Sequence, residues 1–428
     1  MITQFRSLGR AVQVLLINQL AITTGFYMLF PYIALHMTRD LGLEAWLVGL
    51  VLGVGNLSQQ GLFLLGGSLG DRIGFKRVIV LGCGLRAAGF LAYGLADSLA
   101  TLLLAALLSG LAAALFGPAV RALLAQEAGE KRIQAFALFS VFANGGLLLG
   151  PLLGMALLQL DFRAVALAAA AIFALLTLVQ TRHLPAHEPA REQAQPLLLN
   201  WREAFSNRPF VLFALAMLGY FALYVQFYLG LPLGLQRSTG SEEAVGSLFT
   251  IAAVLSMVAQ VHLTNFSQRR WSPARAISIG LATMGLAFVP LLLATPLLPV
   301  PPEALRGVLP AGIGSFAGFA AGAINFAPVL LATVLLTVGS LIAQPFAMGL
   351  IPVLGRERLL GTYFGVYYLS LGLGGLLGNL LAGVGFDMAR RSGFDGLPWM
   401  LLLLVGCCSA ASIAALERRG ALTPAKAT

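Results

Sequence analysis

Ionisable side chains are scarce in this chain, and where they stand decides what chemistry is open to it. Of 428 residues, 17 are Asp or Glu. All of these, Asp40, Glu44, Asp71, Asp97, Glu127, Glu130 and Asp161 among them, fall in hydrophilic stretches or at the edges of apolar runs. The four histidines, His36, His183, His187 and His262, are dispersed. An enzyme needs a nucleophile beside its base, or clustered metal ligands; the sequence has neither, so it reads as a non-enzyme with no cofactor and no metal. Cys83, Cys407 and Cys408 lie in apolar runs without a CxxC pair and read as inert core thiols. Two cations stand inside apolar runs, Arg86 and Arg121, with His262 nearer an edge. A cation in lipid is costly unless countered. Arg86 is therefore expected to be capped by carbonyls or paired with Asp71; the sharper alternative is that Arg86 or Arg121 attracts an anionic ligand. His262 reads as an interfacial or packing residue.

The densest cluster of polar and charged residues is GGSLGDRIGFKR, residues 66–77, between apolar runs at 44–69 and 78–96. Its length predicts a tight turn at headgroup level, with the two flanking helices side by side. The composition makes that setting a membrane. The chain is 58% hydrophobic and 10% charged, so most of it has lipid for solvent. Runs of about 20 residues without period-two alternation predict helices, not a barrel. Twelve such runs fall near 11–37, 44–69, 78–96, 99–126, 133–160, 164–181, 209–236, 244–267, 275–298, 322–353, 361–386 and 397–416. The first is too long for a signal-peptide core and should stay as a span.

The fold class this predicts is an all-α membrane protein with twelve transmembrane helices in two six-helix bundles, 1–181 and 209–428. A connector, 182–208, contains Pro185, Pro189 and Pro196 and should lie along the membrane surface. The Gly/Ala-rich piece 303–325 would invert everything after it if it crossed the membrane. Charge argues against that. Of 27 Lys and Arg, only Arg39, Arg163, Arg237, Arg306, Arg390 and Arg391 fall on the side opposite the termini, as the positive-inside rule requires of twelve spans with both ends cytoplasmic. The piece is therefore read as an outer-face insertion near 299–321. The net charge of +10 belongs to the membrane surface and not to nucleic acid.

The halves repeat. Residues 118–154 align with 345–382, each with a Pro, a short charged turn and a Gly-rich helix end, the mark of parallel repeats with a ligand site at mid-membrane. Polar or aromatic groups share faces on several spans: Gln19, Thr23 and Tyr27; Asn56, Gln59 and Gln60; Tyr220, Tyr224 and Tyr228; Tyr363 and Tyr367. These suit an amphipathic organic ligand, with interhelical hydrogen bonding or an interfacial aromatic belt as the plainer account. Tyr220 and Tyr363 are the expected belt members.

Gly67, Leu69, Gly70, Asp71, Arg72, Gly74, Lys76 and Arg77 match the loop motif of the major facilitator superfamily, G-x-L-(G/A)-D-(R/K)-x-G-(R/K)-(R/K). The resemblance implies a gate at the cytoplasmic mouth between spans 2 and 3. Phe75 departs from the pattern, which often has Arg there and an ion pair to span 4. Gly146, Gly150, Pro151 and Gly154 resemble the antiporter motif of drug:proton exporters; ordinary close packing of small residues is the alternative. LLINQL at 15–20, LSQQGL at 57–62 and LLSGL at 107–111 resemble MdtH-type multidrug exporters. That likeness implies a monomeric inner-membrane carrier with a small-molecule substrate and the proton as coupling ion. It also implies a cavity drawn from Gln19, Thr23, Tyr27, Asn56, Gln59, Arg86, Arg121, Asn144, Tyr224, Tyr228, Gln344 and Tyr367. Such exporters often embed a carboxylate on span 1 or 10, where this chain has Asn18, Gln19 and Gln344, and an Arg midway along span 4, where it has Ser109 and Gly110. Embedded Arg without embedded acid favours, as a second reading, export of an anionic metabolite such as a carboxylate siderophore.

Overall fold

The structure, a computed structural model, describes residues 2–185, 196–239, 245–297, 299–306, 317–355 and 359–422. Among them every regular element is a helix: α1 Ile2–Arg6, α2 Arg10–Arg39, α3 Ala45–Gly61, α4 Phe63–Ile73, α5 Phe75–Leu95, α6 Leu99–Ala128, α7 Arg132–Leu158, α8 Phe162–His183, α9 Leu197–Ser206 and α10 Arg208–Ala216. There follow α11 Leu218–Tyr224, α12 Gly230–Thr239, α13 Val245–Arg270, α14 Pro273–Leu286, α15 Val289–Ala294, α16 Pro302–Arg306, α17 Ala317–Leu354, α18 Leu360–Ser392 and α19 Leu397–Arg418. Ten stretches among the described residues are long and apolar enough to cross a bilayer. One of them, Leu99–Leu158, holds two helices joined by the 3-10 turn Gly129–Lys131. The broken pair α3 and α4 supplies the remaining span, which gives the twelve-helix architecture the apolar runs predict.

Local chemistry explains the boundaries. Ser98 and Thr101 form a capping box at the start of α6, Asp161 accepts from the Ala164 amide at the start of α8, and Ser272 caps α14 ahead of Pro273. Prolines stand inside α2, α6 and α7, at Pro31, Pro118 and Pro151. The span 208–239 is interrupted at Met217 and again by the 3-10 turn Val225–Phe227.

The chain forms two compact units. One takes in Met1–Leu212 with Met348–Leu369, the other Phe213–Ala347 with Ser370–Leu422. Within each, glycines bring two helix backbones into direct contact. In the first, a Cβ added at Gly146 would meet Thr23 Cβ at 2.7 Å, and one at Gly150 would meet the Thr24 carbonyl oxygen at 2.8 Å. Gly154 abuts Met28 and Tyr32, so α7 lies directly on α2. In the second, a Cβ at Gly374 would meet the Leu218 carbonyl oxygen at 2.6 Å and one at Gly378 the Ala222 Cα at 2.5 Å, so α18 lies on α11 in the same way. This correspondence of spans 5 and 1 with spans 11 and 7 is the sequence repeat expressed as packing.

Four expectations are corrected. Residues 66–73 are not turn but the last two helical turns of α4; the turn is Gly74 alone, at φ 94° and ψ 138°, where glycine meets no steric penalty. Residues 317–325, read with the outer-face insertion, are helical and open α17; residues 307–316 lie outside the described residues. Cys407 and Cys408 are exposed on α19 and only Cys83 is a core thiol. Tyr220 and Tyr363 are not in a belt: they are 2% and 1% exposed, because each hydroxyl finds a partner, Ser340 at 2.8 Å and the Asn207 amide at 2.9 Å.

Candidate functional site

The feature with most chemistry is a helix cap made in trans. The α4 backbone touches α18 through two glycines, Gly67 against Gly361, with no room for a side chain on either. That contact brings the Asp71 carboxylate, one turn further along α4, onto the first turn of α18. Oδ1 accepts from the Gly361 amide at 2.7 Å; Oδ2 accepts from the Thr362 amide and from the Thr362 hydroxyl, both at 2.7 Å. These are the amides a helix leaves without intrahelical partners. A carboxylate there gains charge-assisted hydrogen bonds and the favourable end of the helix dipole.

Around this cap, Ser68 Oγ donates to the Leu64 carbonyl at 2.8 Å and lies 3.1 Å from Thr362 Oγ1. Trp201 Nε1, from α9, donates to Ser68 Oγ at 2.9 Å. Asn207, just after α9, donates from Nδ2 to the Leu354 carbonyl at 2.8 Å as well as to Tyr363. Phe75 lies against Gly70: a Cβ there would meet its ring at 2.8 Å. The aromatic ring thus occupies, as packing, the position where the motif often has Arg. Arg72 and Arg77 are exposed and Lys76 is half-buried.

Arg86 is 5% exposed. Its Nη1 donates to the Ser109 carbonyl at 2.5 Å, and four rings surround its guanidinium, Phe26, Phe90, Phe116 and Phe173, with centroids 4.9 to 6.0 Å away. Of the alternatives open at the outset this is the carbonyl cap. Asp71 is committed to α18, and ring quadrupoles supply the negative potential that a carboxylate would otherwise give. The guanidinium also reaches α6 at Ser109, the stretch where the family often has its own Arg. Arg121 is half-buried, bonded to the Gly117 carbonyl at 2.9 Å, and held between Phe139 and Tyr368.

The other candidate residues divide between the two units. In the first unit, Thr23 lies in the α2–α7 seam at 9% exposure, bonded to the Gln19 carbonyl, while the Gln19 amide reaches back to its hydroxyl. Tyr27 Cβ touches Gly150. Tyr32 donates to the Pro151 carbonyl at 2.8 Å. Asn144 turns back onto the Ser140 carbonyl, Asn56 is exposed, Gln59 is half-buried and Tyr367 is buried. The Gln60 side chain lies outside the described residues. In the second unit, Tyr224 and Tyr228 are 38% and 61% exposed, with Tyr224 stacked on Tyr220, and Gln344 is half-buried. His262 is exposed on α13.

The Major Facilitator Superfamily profile matches residues 15–379 of this sequence. The chain belongs to that superfamily. An MFS-type transporter of Mycobacterium tuberculosis strain H37Rv is 40% identical over 416 residues, covering 96% of this chain and 94% of that one. The multidrug resistance protein MdtH of Salmonella typhimurium strain LT2 is 32% identical over 406 residues, covering 95% and 93%. Among solved structures, the human organic anion transporter MFSD10 (TETRAN) aligns with TM-score 0.69 at 17% identity, covering 94% of this chain and 99% of that one. The Escherichia coli fucose:proton symporter FucP aligns with TM-score 0.70 at 13% identity, covering 94% and 98%. At those identities the structures speak for the fold alone.

As a major facilitator, the chain is a multi-pass membrane transporter for a small-molecule substrate, and its relatives are carriers rather than enzymes. Within that frame the α4–α18 cap joins the loop motif to the first turn of span 11. Sequence reasoning named Asp71 and the glycines but missed Ser68, Trp201, Asn207 and Thr362. The one available signal was the lone Trp of the connector.

Proposed function

We propose that this protein is a proton-coupled exporter of amphipathic small molecules across the bacterial inner membrane, acting as a monomer with both termini cytoplasmic. Its six-helix halves, 1–181 and 209–428, alternate in opening a shared pocket to either side. The observation that carries the substrate class is the 32% identity, across nearly the whole length, to a protein named for multidrug resistance. The cycle is supported by the Asp71 cap. A carboxylate on the first turn of α18 stabilises one arrangement of the loop and must let go in another. Glycine seams from Gly146 to Gly154 and from Gly374 to Gly378 suit this role as packing surfaces, whether or not they also mark an antiporter.

The second reading, a dedicated exporter of an anionic metabolite, asks an exposed guanidinium to meet the substrate. Arg86 is enclosed by rings, which leaves half-buried Arg121 to do so. The test is counterflow in proteoliposomes of the full chain, with ethidium as the cation and citrate as the polycarboxylate. Ethidium counterflow together with an ethidium-dependent change in lumenal pH supports the proton-coupled exporter. Ethidium counterflow at constant lumenal pH overturns the proton. Citrate counterflow without ethidium counterflow overturns the substrate class.

A further inference from the structure

We infer that the connector is part of the inner-mouth latch, with Trp201 and Asn207 as positioning residues for the Asp71 cap. The inference rests on the reading of that cap as a gate. Helix α9 carries exposed apolar side chains, Leu198, Leu199 and Phe205, on one side, as a helix lying in the headgroup layer does. Trp201 on this helix and Asn207 just after it are bonded to the transporter beside the cap.

At the first point, Trp201 Nε1 donates to Ser68 Oγ at 2.9 Å. The Thr362 hydroxyl has one hydrogen, and the Asp71 carboxylate at 2.7 Å is its strongest acceptor. Ser68 gives its own hydrogen to the Leu64 carbonyl at 2.8 Å, with its oxygen 3.1 Å from the Thr362 hydroxyl. The indole N–H fills an acceptor site on Ser68 and so fixes which way that hydrogen points. Trp201 thereby holds the Ser68 oxygen in place beside the Thr362 hydroxyl from which Asp71 accepts.

At the second point, a single side chain ties three elements. Asn207 Oδ1 accepts from the Phe210 amide at 3.3 Å and so caps α10. Its Nδ2 donates to the Leu354 carbonyl, the last residue of α17, at 2.8 Å, and to the Tyr363 hydroxyl on the first turn of α18 at 2.9 Å. The same turn of α18 that Asp71 caps is thus held from the connector side as well. When α18 leaves Asp71, Tyr363 must leave Asn207 and Thr362 must leave Ser68. The connector therefore sets how readily the cap opens; it is more than a tether between bundles.

The test is hydrogen–deuterium exchange of the full chain in detergent, without substrate, resolved to the Gly361 and Thr362 amides that Asp71 accepts. Asp71→Asn examines the cap itself. Trp201→Phe keeps an aromatic ring, smaller than indole, and removes the N–H; Ser68→Ala removes its acceptor. We expect Trp201→Phe and Ser68→Ala each to speed exchange at 361 and 362 by about two- to tenfold, the range one net hydrogen bond commands. Exchange in α14 should stay constant, and the double variant should be no faster than either single one. Asn207→Ala should speed the same amides through the other point. In vesicles, the three connector variants should change ethidium turnover and leave its binding affinity alone, a split that general loss of packing would not give. Faster exchange in Asp71→Asn with no change in Trp201→Phe, Ser68→Ala and Asn207→Ala overturns the connector's role and leaves the gate standing. No change in Asp71→Asn overturns both.

Discussion

Replacing Asp71 with Asn is nearly isosteric, so its effect isolates charge and hydrogen-bond polarity. In the wild type the carboxylate accepts three hydrogen bonds, two from amides and one from a hydroxyl, all at 2.7 Å. Asn presents one acceptor oxygen and an NH2 group. Whichever way the amide is turned, an N–H faces the Gly361 or Thr362 amide, donor against donor. A hydrogen bond to a charged group contributes about 1.5–3 kcal/mol, and a negative charge on a helix N-terminus adds about 0.3–1 kcal/mol. Losing one such bond and the dipole term destabilises the capped state by about 2–4 kcal/mol. At about 1.4 kcal/mol per tenfold, the capped population falls by roughly 30- to 1,000-fold relative to the uncapped one. The cycle must pass through both states, so turnover should drop steeply. The Asp71 carboxylate is engaged by the first turn of α18, so equilibrium binding should move little. The assay pairs ethidium efflux from proteoliposomes with ethidium binding measured by fluorescence anisotropy on the same preparation. Equal losses in turnover and binding would refute the gating argument, as would a wild-type turnover.

Other variants probe the packing. Gly150→Val would put side-chain carbons where Thr24 and Tyr27 already lie 2.8 Å from a Cβ; overpacking of this kind costs about 1–3 kcal/mol, read as a lower Tm, whereas Gly53→Ala, with nothing within 4 Å, should leave Tm unchanged. Arg86→Met fills much of the same volume without charge; ethidium transport should stay within about twofold while Tm falls through loss of the charged hydrogen bond to the Ser109 carbonyl, at a cost of about 1.5–3 kcal/mol. Abolished transport at unchanged Tm would show that Arg86 serves the substrate instead. An apolar maleimide that partitions into membranes should modify Cys407 and Cys408 and spare Cys83; mass spectrometry of the labelled chain decides it.

The membrane class, the number of spans and the loop motif were legible in the sequence because lipid permits few backbones and because apolar runs, prolines and charges punctuate them openly. The limits of that legibility are particular. Residues 66–73 read as turn because Gly, Ser and Asp favour turns in water. Gly66, Gly67 and Gly70 instead fall on the buried side of α4, where their job is to let α6, α18 and Phe75 come close. Composition does not distinguish a glycine that bends a chain from one that admits a neighbour. Tyr220 and Tyr363 looked interfacial because a phenol has a polar tip; their partners, Ser340 and Asn207, are more than 100 residues away in the chain. Arg86 was expected to seek a carboxylate or a carbonyl, and the carbonyl was found, but the four phenylalanines come from four helices and no local pattern announces them. Trp201 and Asn207 escaped notice because their partners too are non-local.

The bare seams between α7 and α2 and between α18 and α11 have a mechanical corollary. Where two backbones touch through glycine few side chains intervene, so each pair turns as a stiff plank. Compliance must then be gathered where the helices are interrupted, at Leu62, at Met217, across Val225–Phe227 and at Ala287–Phe288. A transporter assembled this way bends at its joints and nowhere along its beams.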